Sequence, residues 1–205
     1  MMASAPKYQY LKEDSWDCVN NRNREDSMCQ FVKRLITRWA KRKTCLLTKK
    51  PKVIFYDFDG VMTDNRILQF EDGREAVWVN RSDGLAVSTI TKLGVEQIII
   101  SAEVNMVVKA RAEKLKIKCI HGVKDKMKTV QTYMKENNIK KEEAVFVGND
   151  INDREAMEYV GYSISPLDAH DEIKKISKLI LNARGGYGVV REILDLLVLQ
   201  ERESE

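Results

Sequence analysis

From residue 51 onward, short apolar runs alternate with amphipathic stretches. Val53-Ile54-Phe55-Tyr56 and Ala144-Val145-Phe146-Val147 are continuously apolar and rich in β-branched and aromatic residues, the pattern of strands buried on both faces. Gln97–Ser101, Lys118–Ile120, Tyr162–Ile164 and Lys178–Leu181 read as further strands. Apolar residues at helical spacing predict helices over 83–93, 104–115, 124–138, 152–159 and 189–200. Repeated strand–helix units joined by right-handed crossovers give an α/β fold, a three-layer, Rossmann-like parallel sheet. One stretch interrupts the alternation. Arg66–Phe70 and Glu75–Val79 are β-prone runs on either side of an Asp72-Gly73 turn, which predicts a small β-hairpin over 66–79 where a simple crossover belongs. Its apolar residues Ile67, Leu68, Phe70, Val77 and Trp78 need a cover, and a second subunit is one way to supply it.

The first fifty residues are of another kind. Residues 1–27 are polar and irregular, a composition that predicts loose coil. Over 28–43, Met28, Phe31, Val32, Leu35, Ile36 and Trp39 form an apolar stripe opposite Lys33, Arg34, Arg38, Lys41 and Arg42. This basic amphipathic helix has two uses, docking on the domain or a second subunit, or resting on a membrane surface, and docking is the commoner fate of such faces. Lys49-Lys50-Pro51 closes the segment, so an extension over 1–50 precedes one domain over 51–205. The overall charge of +4 conceals an asymmetry, because residues 1–50 carry 12 Lys and Arg against 5 Asp and Glu, and residues 51–205 carry 23 against 26. An acidic main domain argues against a nucleic-acid partner. Cys18, Cys29, Cys45 and Cys119 have neither metal-site spacing nor the density of a secreted disulfide framework, so free thiols are expected. With no apolar run near the ~20 residues of a membrane span and no signal-like N-terminus, a cytoplasmic location is expected.

The candidate chemistry lies at the ends of the predicted strands. Asp57 and Asp59 follow the first strand, one residue apart, and Gly60 permits the turn that brings both carboxylates to one site. A second apolar strand runs into Gly148-Asn149-Asp150-Ile151-Asn152-Asp153, a third ends at Ser101, and Lys126 opens a helical pattern. Oxygen ligands suit a hard cation and a lysine neutralises phosphoryl charge, so the set points to Mg²⁺ and phosphate. His121 and His170 are isolated and read as structural.

Tyr56-Asp57-Phe58-Asp59-Gly60-Val61-Met62-Thr63-Asp64, Ser101, Lys126 and Gly148–Asp153 resemble the four motifs of the haloacid dehalogenase superfamily. The hairpin and Gly185-Gly186-Tyr187-Gly188-Val189-Val190-Arg191-Glu192 narrow the resemblance, over roughly residues 52–200. They are similar to the 3-deoxy-D-manno-octulosonate 8-phosphate phosphatases, to nine-carbon sugar-acid 9-phosphate phosphatases, and to the phosphatase-like domains of CMP-sialic acid synthetases. The resemblance implies a Mg²⁺-dependent phosphomonoesterase acting through an aspartyl-phosphate. Asp57 would be nucleophile and Asp59 general acid and base, with Ser101 and Lys126 on the phosphoryl group and Asp153 anchoring Lys126 and its loop. Asp57, the Asp59 carbonyl and an oxygen of Asn149 or Asp150 would hold the metal. It places Asn80, Arg81, Ser82, Asp83, Gly84 and Arg111 on the sugar-acid side, and implies a homotetramer assembled through the 66–79 hairpin.

Two positions depart from the octulosonate pattern. Asn149 stands where those phosphatases have the first of two adjacent acids, keeping an oxygen ligand but losing a charge. Ser101-Ala102-Glu103 replaces their Thr-Gly-Arg and reverses a charge in the pocket. Both changes resemble the sialic-acid branch, which also contains phosphatase-like domains that mainly hold oligomers together. A catalytically weak oligomerisation domain is therefore the alternative to the enzyme.

Overall fold

A computed structural model describes residues 50–204; the expectations for residues 1–49, including the helix over 28–43, lie outside the described residues. The chain forms β1 (Val53–Tyr56), β2 (Thr63–Gln69), β3 (Glu75–Val79), α1 (Arg81–Lys92), β4 (Glu96–Ile100), α2 (Met106–Leu115), β5 (Lys118–Ile120) and α3 (Lys126–Glu136). It continues with β6 (Ala144–Val147), α4 (Arg154–Tyr159), β7 (Tyr162–Ser165), α5 (Asp171–Ile176), β8 (Leu179–Ile180) and α6 (Val189–Ser204). Six strands form a parallel sheet in the order β5-β4-β1-β6-β7-β8, and β2 and β3 pair antiparallel as a separate hairpin.

The period of two along β1 divides the core. Ile54 and Tyr56 face a cluster built with Ala86, Val87 and Ile90 of α1 and Val190, Ile193 and Leu197 of α6. Val53 and Phe55 face the other, with Val130 and Met134 of α3, Met157 of α4 and Ile173 of α5. Every β1 side chain is sealed, which explains the unbroken apolar run and bears out the three-layer expectation. The chain runs outward from β1 to β4 and β5, then crosses back to β6 on the other side of β1. Ligands of open α/β sheets gather at such a reversal, beyond the carboxyl ends of the strands.

Helix starts follow local capping. Asn80, Asn105 and Asp125 cap α1, α2 and α3 by accepting main-chain N–H bonds from Ser82, Val107 and Lys128. The sequence pattern missed α5, whose six residues are too short for a helical period to stand out; His170 begins it, with Nδ1 accepting the Glu172 N–H at 3.2 Å. The hairpin starts earlier than its apolar pattern suggests, at Thr63, with an irregular register between Thr63 and Ile67. Among the described residues no helix is long and apolar enough to cross a membrane, and Cys119 is a free thiol.

Candidate active site

β4, β1 and β6 lie side by side and end in Ser101, Asp57 and Gly148-Asn149. β1 reaches the site by pairing with both neighbours, and the Asp57 N–H continues the ladder to Val147 O at 2.9 Å. Gly60 then turns the chain at φ +77°, where a side chain would collide with the Asn149 amide.

Lys126, buried at the first position of α3, bridges two carboxylates. Its Nζ lies 2.8 Å from Asp57 Oδ1 and 2.6 Å from Asp153 Oδ1. Asp153 Oδ2 accepts the N–H groups of Asn149 at 2.9 Å and Asp150 at 3.3 Å, so one buried acid sets both the lysine and the loop after β6. Burial works to lower the Lys126 pKa, but the charges of Asp57 and Asp153 overcome it and hold the ammonium above its usual range. Asp57 is pushed well up, by burial first and then by the charge of Asp153, with Lys126 pulling the other way. Two carboxylates against one lysine leave an excess of buried negative charge.

That excess has a direction. Asp57 Oδ1 faces the lysine and the Phe58 N–H, whereas Oδ2 faces the Asn149 amide. In one orientation of that amide its oxygen stands 2.8 Å from the Asp59 carbonyl oxygen and 3.1 Å from Asp57 Oδ2, three acceptors facing one another. In the other its nitrogen donates to both. Oxygen ligands of an octahedral Mg²⁺ stand about 2.9 Å apart, so the first arrangement fits a small hard cation. The set is mixed, one carboxylate, one amide and one main-chain carbonyl; among the described residues no three His, Cys, Asp or Glu side chains converge as metal ligands. Asp150 turns to its own loop, where Oδ1 accepts the Ile151 N–H at 2.7 Å.

Asp59 is half-buried, and its Oδ1 accepts the Thr63 hydroxyl at 3.5 Å. Burial raises its pKa, and the charges of Glu103 and, more weakly, Glu75 add to the rise. Ser101 is buried; its Oγ accepts the Glu103 N–H at 3.1 Å, leaving the hydroxyl proton to donate.

The candidates on the sugar-acid side form a group of their own at the foot of the hairpin. Asn80 Oδ1 accepts the Ser82 N–H at 2.9 Å and its hydroxyl at 2.8 Å, and Arg111 Nη2 donates to Asn80 O at 2.9 Å. A side chain at Gly84 would meet Leu115, and the exposed Arg81 lines a groove of ≈ 350 Å³ with Asp64, Arg66, Trp78 and Tyr187. Asp83 is sealed between α1 and α6, where Oδ1 accepts the Arg191 N–H at 3.1 Å; its pKa is pushed up to about 6 by desolvation. Among the described residues no hydrogen bond or ion pair joins these six to Asp57, Asp59 or Lys126. Thr63, Glu75 and Asn105 were not singled out from sequence. The alternation along β3 carried a signal for Glu75, which shares the inward face with Val77 and Val79.

The glycine-rich stretch before α6 belongs to this end of the molecule through its main chain. A side chain at Gly185 would come within 2.2 Å of Gly60 O, and the Gly186 N–H donates to Val61 O at 3.0 Å. The contact buttresses the loop that carries Asp59.

Residues 88–193 match the model of the haloacid dehalogenase-like hydrolases. The chain is 29% identical over 170 residues to the 3-deoxy-D-manno-octulosonate 8-phosphate phosphatase of Salmonella typhi, covering 82% of this chain and 90% of that protein. It is 29% identical over 163 residues to N-acylneuraminate cytidylyltransferase A of Danio rerio, covering 76% of this chain but spanning 37% of that longer protein. The crystal structure of the 3-deoxy-D-manno-octulosonate 8-phosphate phosphatase of Moraxella catarrhalis, in complex with magnesium, phosphate and the sugar acid, is similar at a TM-score of 0.72. Identity is 26%, covering 78% of this chain and 90% of that one.

Proposed function

The chain belongs to the haloacid dehalogenase-like hydrolases and is a phosphatase, and from that premise we propose that it hydrolyses the phosphomonoester of a sugar acid of the octulosonate 8-phosphate or nonulosonate 9-phosphate type. The observation that carries the reading is the bridge of Lys126 between Asp57 and Asp153, with the second Asp57 oxygen turned toward Asn149 and the Asp59 carbonyl. Asp57 attacks phosphorus and becomes the aspartyl-phosphate, Lys126 holding the carboxylate in place and offsetting phosphoryl charge. Asp59, whose carboxyl burial and the acidic Glu103 and Glu75 shift toward its protonated form, gives a proton to the leaving alkoxide and then takes one from the attacking water. The Ser101 hydroxyl donates to a phosphoryl oxygen. Asp57, the Asp59 carbonyl and Asn149, with Asp150 beside them, would hold a divalent cation, Mg²⁺ by its fit to the oxygen spacing, which would supply charge neutralisation for the phosphoryl group. Asn80–Gly84 and Arg111, grouped at the hairpin foot, are the proposed recognition side for the sugar acid, directly or by shaping the wall around Arg81.

The test is phosphate release in Mg²⁺ over a panel of octulosonate 8-phosphate, nonulosonate 9-phosphates, hexose phosphates and an aryl phosphate. Preference for a sugar-acid phosphate by at least tenfold in kcat/KM is expected; equal rates across the panel contradict the assignment. A second reading rests on one observation. With its nitrogen toward Asp57 and Asp59, the Asn149 amide satisfies both oxygens without a cation, as suits a weakly catalytic, phosphatase-like domain that serves assembly. The exposed Ile67, Leu68 and Trp78 of the hairpin support a homotetramer under either reading.

A further inference from the structure

The hairpin has an inward and an outward polar equipment. Arg66 pairs with Asp64 at 2.5 Å and Arg74 with Asp72 at 2.7 Å, contacts made within the hairpin and its foot. Glu75 reaches out of it. From the first position of β3, on the face shared with Val77 and Val79, Glu75 Oε2 accepts a hydrogen bond from Asn105 Nδ2 at 2.6 Å. The same Asn105 caps α2, its Oδ1 accepting the Val107 N–H at 3.1 Å. Its oxygen and nitrogen are thus committed separately, one to the helix and one to the hairpin. Asn105 also ends the loop that begins at Ser101. That loop is tied to the body by the Glu103 N–H on Ser101 Oγ and by the Gly122 N–H on Glu103 O at 2.9 Å. Val77 and Val79 pack on the same core as Val107 of α2, so apolar contact brings the two surfaces together and the polar pair fixes their register. The hairpin also begins beside Asp59: Thr63, the first residue of β2, donates its hydroxyl to Asp59 Oδ1 at 3.5 Å.

We propose that Glu75 and Asn105 form a latch that docks the hairpin on the Ser101–Asn105 loop, making the hairpin one wall of the space above Asp59 where the leaving group sits. This rests on the phosphatase reading for its kinetic consequence, though the latch itself does not. Both are positioning residues: neither touches the phosphoryl group, and they act by holding the hairpin against the phosphate-side loop. A leaving group long enough to reach the hairpin, such as a sugar acid, gains from the docked wall. A small aryl phosphate does not reach it.

Asn105→Asp isolates the latch, because aspartate still caps α2 but cannot donate to Glu75 and sets two carboxylates face to face. Hydrogen exchange at the amides of residues 66–79 is measured first. The variant is expected to exchange about tenfold faster there, the loss of one charge-assisted hydrogen bond, with α6 unaffected. Its KM for the preferred sugar-acid phosphate should rise about threefold or more, with KM for the aryl phosphate within about twofold of the parent, on the scale expected when a wall of a binding site loosens. Adding Glu75→Gln to Asn105→Asp supplies an amide donor from the opposite side and should restore both readouts. Unchanged hairpin exchange in Asn105→Asp, or no recovery in the double variant, overturns the latch. Altered and rescued exchange in a protein with no turnover on any ester upholds the latch while removing the phosphatase reading.

Discussion

β1 and β3 are both short, with the aromatic and β-branched residues of Val53-Ile54-Phe55-Tyr56 in one and Val77-Trp78-Val79 in the other, and the fold treats them oppositely. β1 lies between two strands and two helical layers, and all four of its side chains are sealed. β3 pairs with β2 alone, tucks Val77 and Val79 against the body, and leaves Trp78 74% exposed, across a hairpin where Ile67 and Leu68 are 55% and 58% exposed. A strand's composition therefore does not say how much of it the chain covers by itself. β1 is a finished support that fixes Asp57, whereas the hairpin is packed on its inner face and exposed on its outer one.

The largest effect separating the two regions is a core truncation. Phe55→Ala removes a ring packed on Tyr133 and Phe146 and should cost about 3–5 kcal/mol in urea unfolding. Trp78→Ala on the open face should stay within about 0.5 kcal/mol at concentrations where the chain is monomeric. A cost for Trp78 matching that of Phe55 would break the comparison.

A smaller effect sharpens it through charge. Asp83 lies in the sealed body with its pKa raised from 3.8 to about 6, whereas Asp72 pairs with Arg74 on the exposed hairpin. A carboxyl raised in the folded state keeps its proton to higher pH than in the unfolded chain. Its contribution is thus fully present below about pH 4 and is lost as pH rises through about 6. Two pH units correspond to about 2–3 kcal/mol, and Asp83→Asn, which can still accept the Arg191 N–H, should flatten that part of the stability–pH curve.

The smallest effect is on assembly. Trp78→Lys places a charge on the outer face and should reduce the mass found by light scattering from about four chains toward one, with the melting of the monomer nearly unchanged. An unaltered mass would mean that the hairpin's outer face is not what joins the chains.

Much of the fold was legible because the sheet's strands are buried on both faces and write themselves as unbroken apolar runs. The same runs marked the strand ends, so Asp57, Ser101 and Asn149 were found together; Lys126 joined them as the lysine that opens a helical pattern, and Asp153 took its anchoring role from the resemblance. What sequence did not disclose depends on side chains meeting across elements. Asp83 looks like a pocket acid next to Arg81 and Ser82, yet its carboxylate caps α6, 108 residues further on. Glu75 and Asn105 are 30 residues apart and carry no shared motif, and their contact exists because the hairpin folds over the start of α2. The orientation of the Asn149 amide is a matter of charge at the site and has no signature along the chain.

On the proposed function Asp57, supported by Lys126 and Asp153, performs phosphomonoester hydrolysis with Asn149 among its cation ligands. The direct measurement is phosphate release in Mg²⁺ by the parent, Asp57→Asn and Asn149→Asp, each with its melting temperature. Turnover is expected in the parent, with loss by at least about 10³-fold in Asp57→Asn without loss of melting temperature, and tighter Mg²⁺ dependence in Asn149→Asp. A silent parent whose activity appears with Asn149→Asp would contradict it, leaving an intact phosphatase fold that this chain uses for assembly.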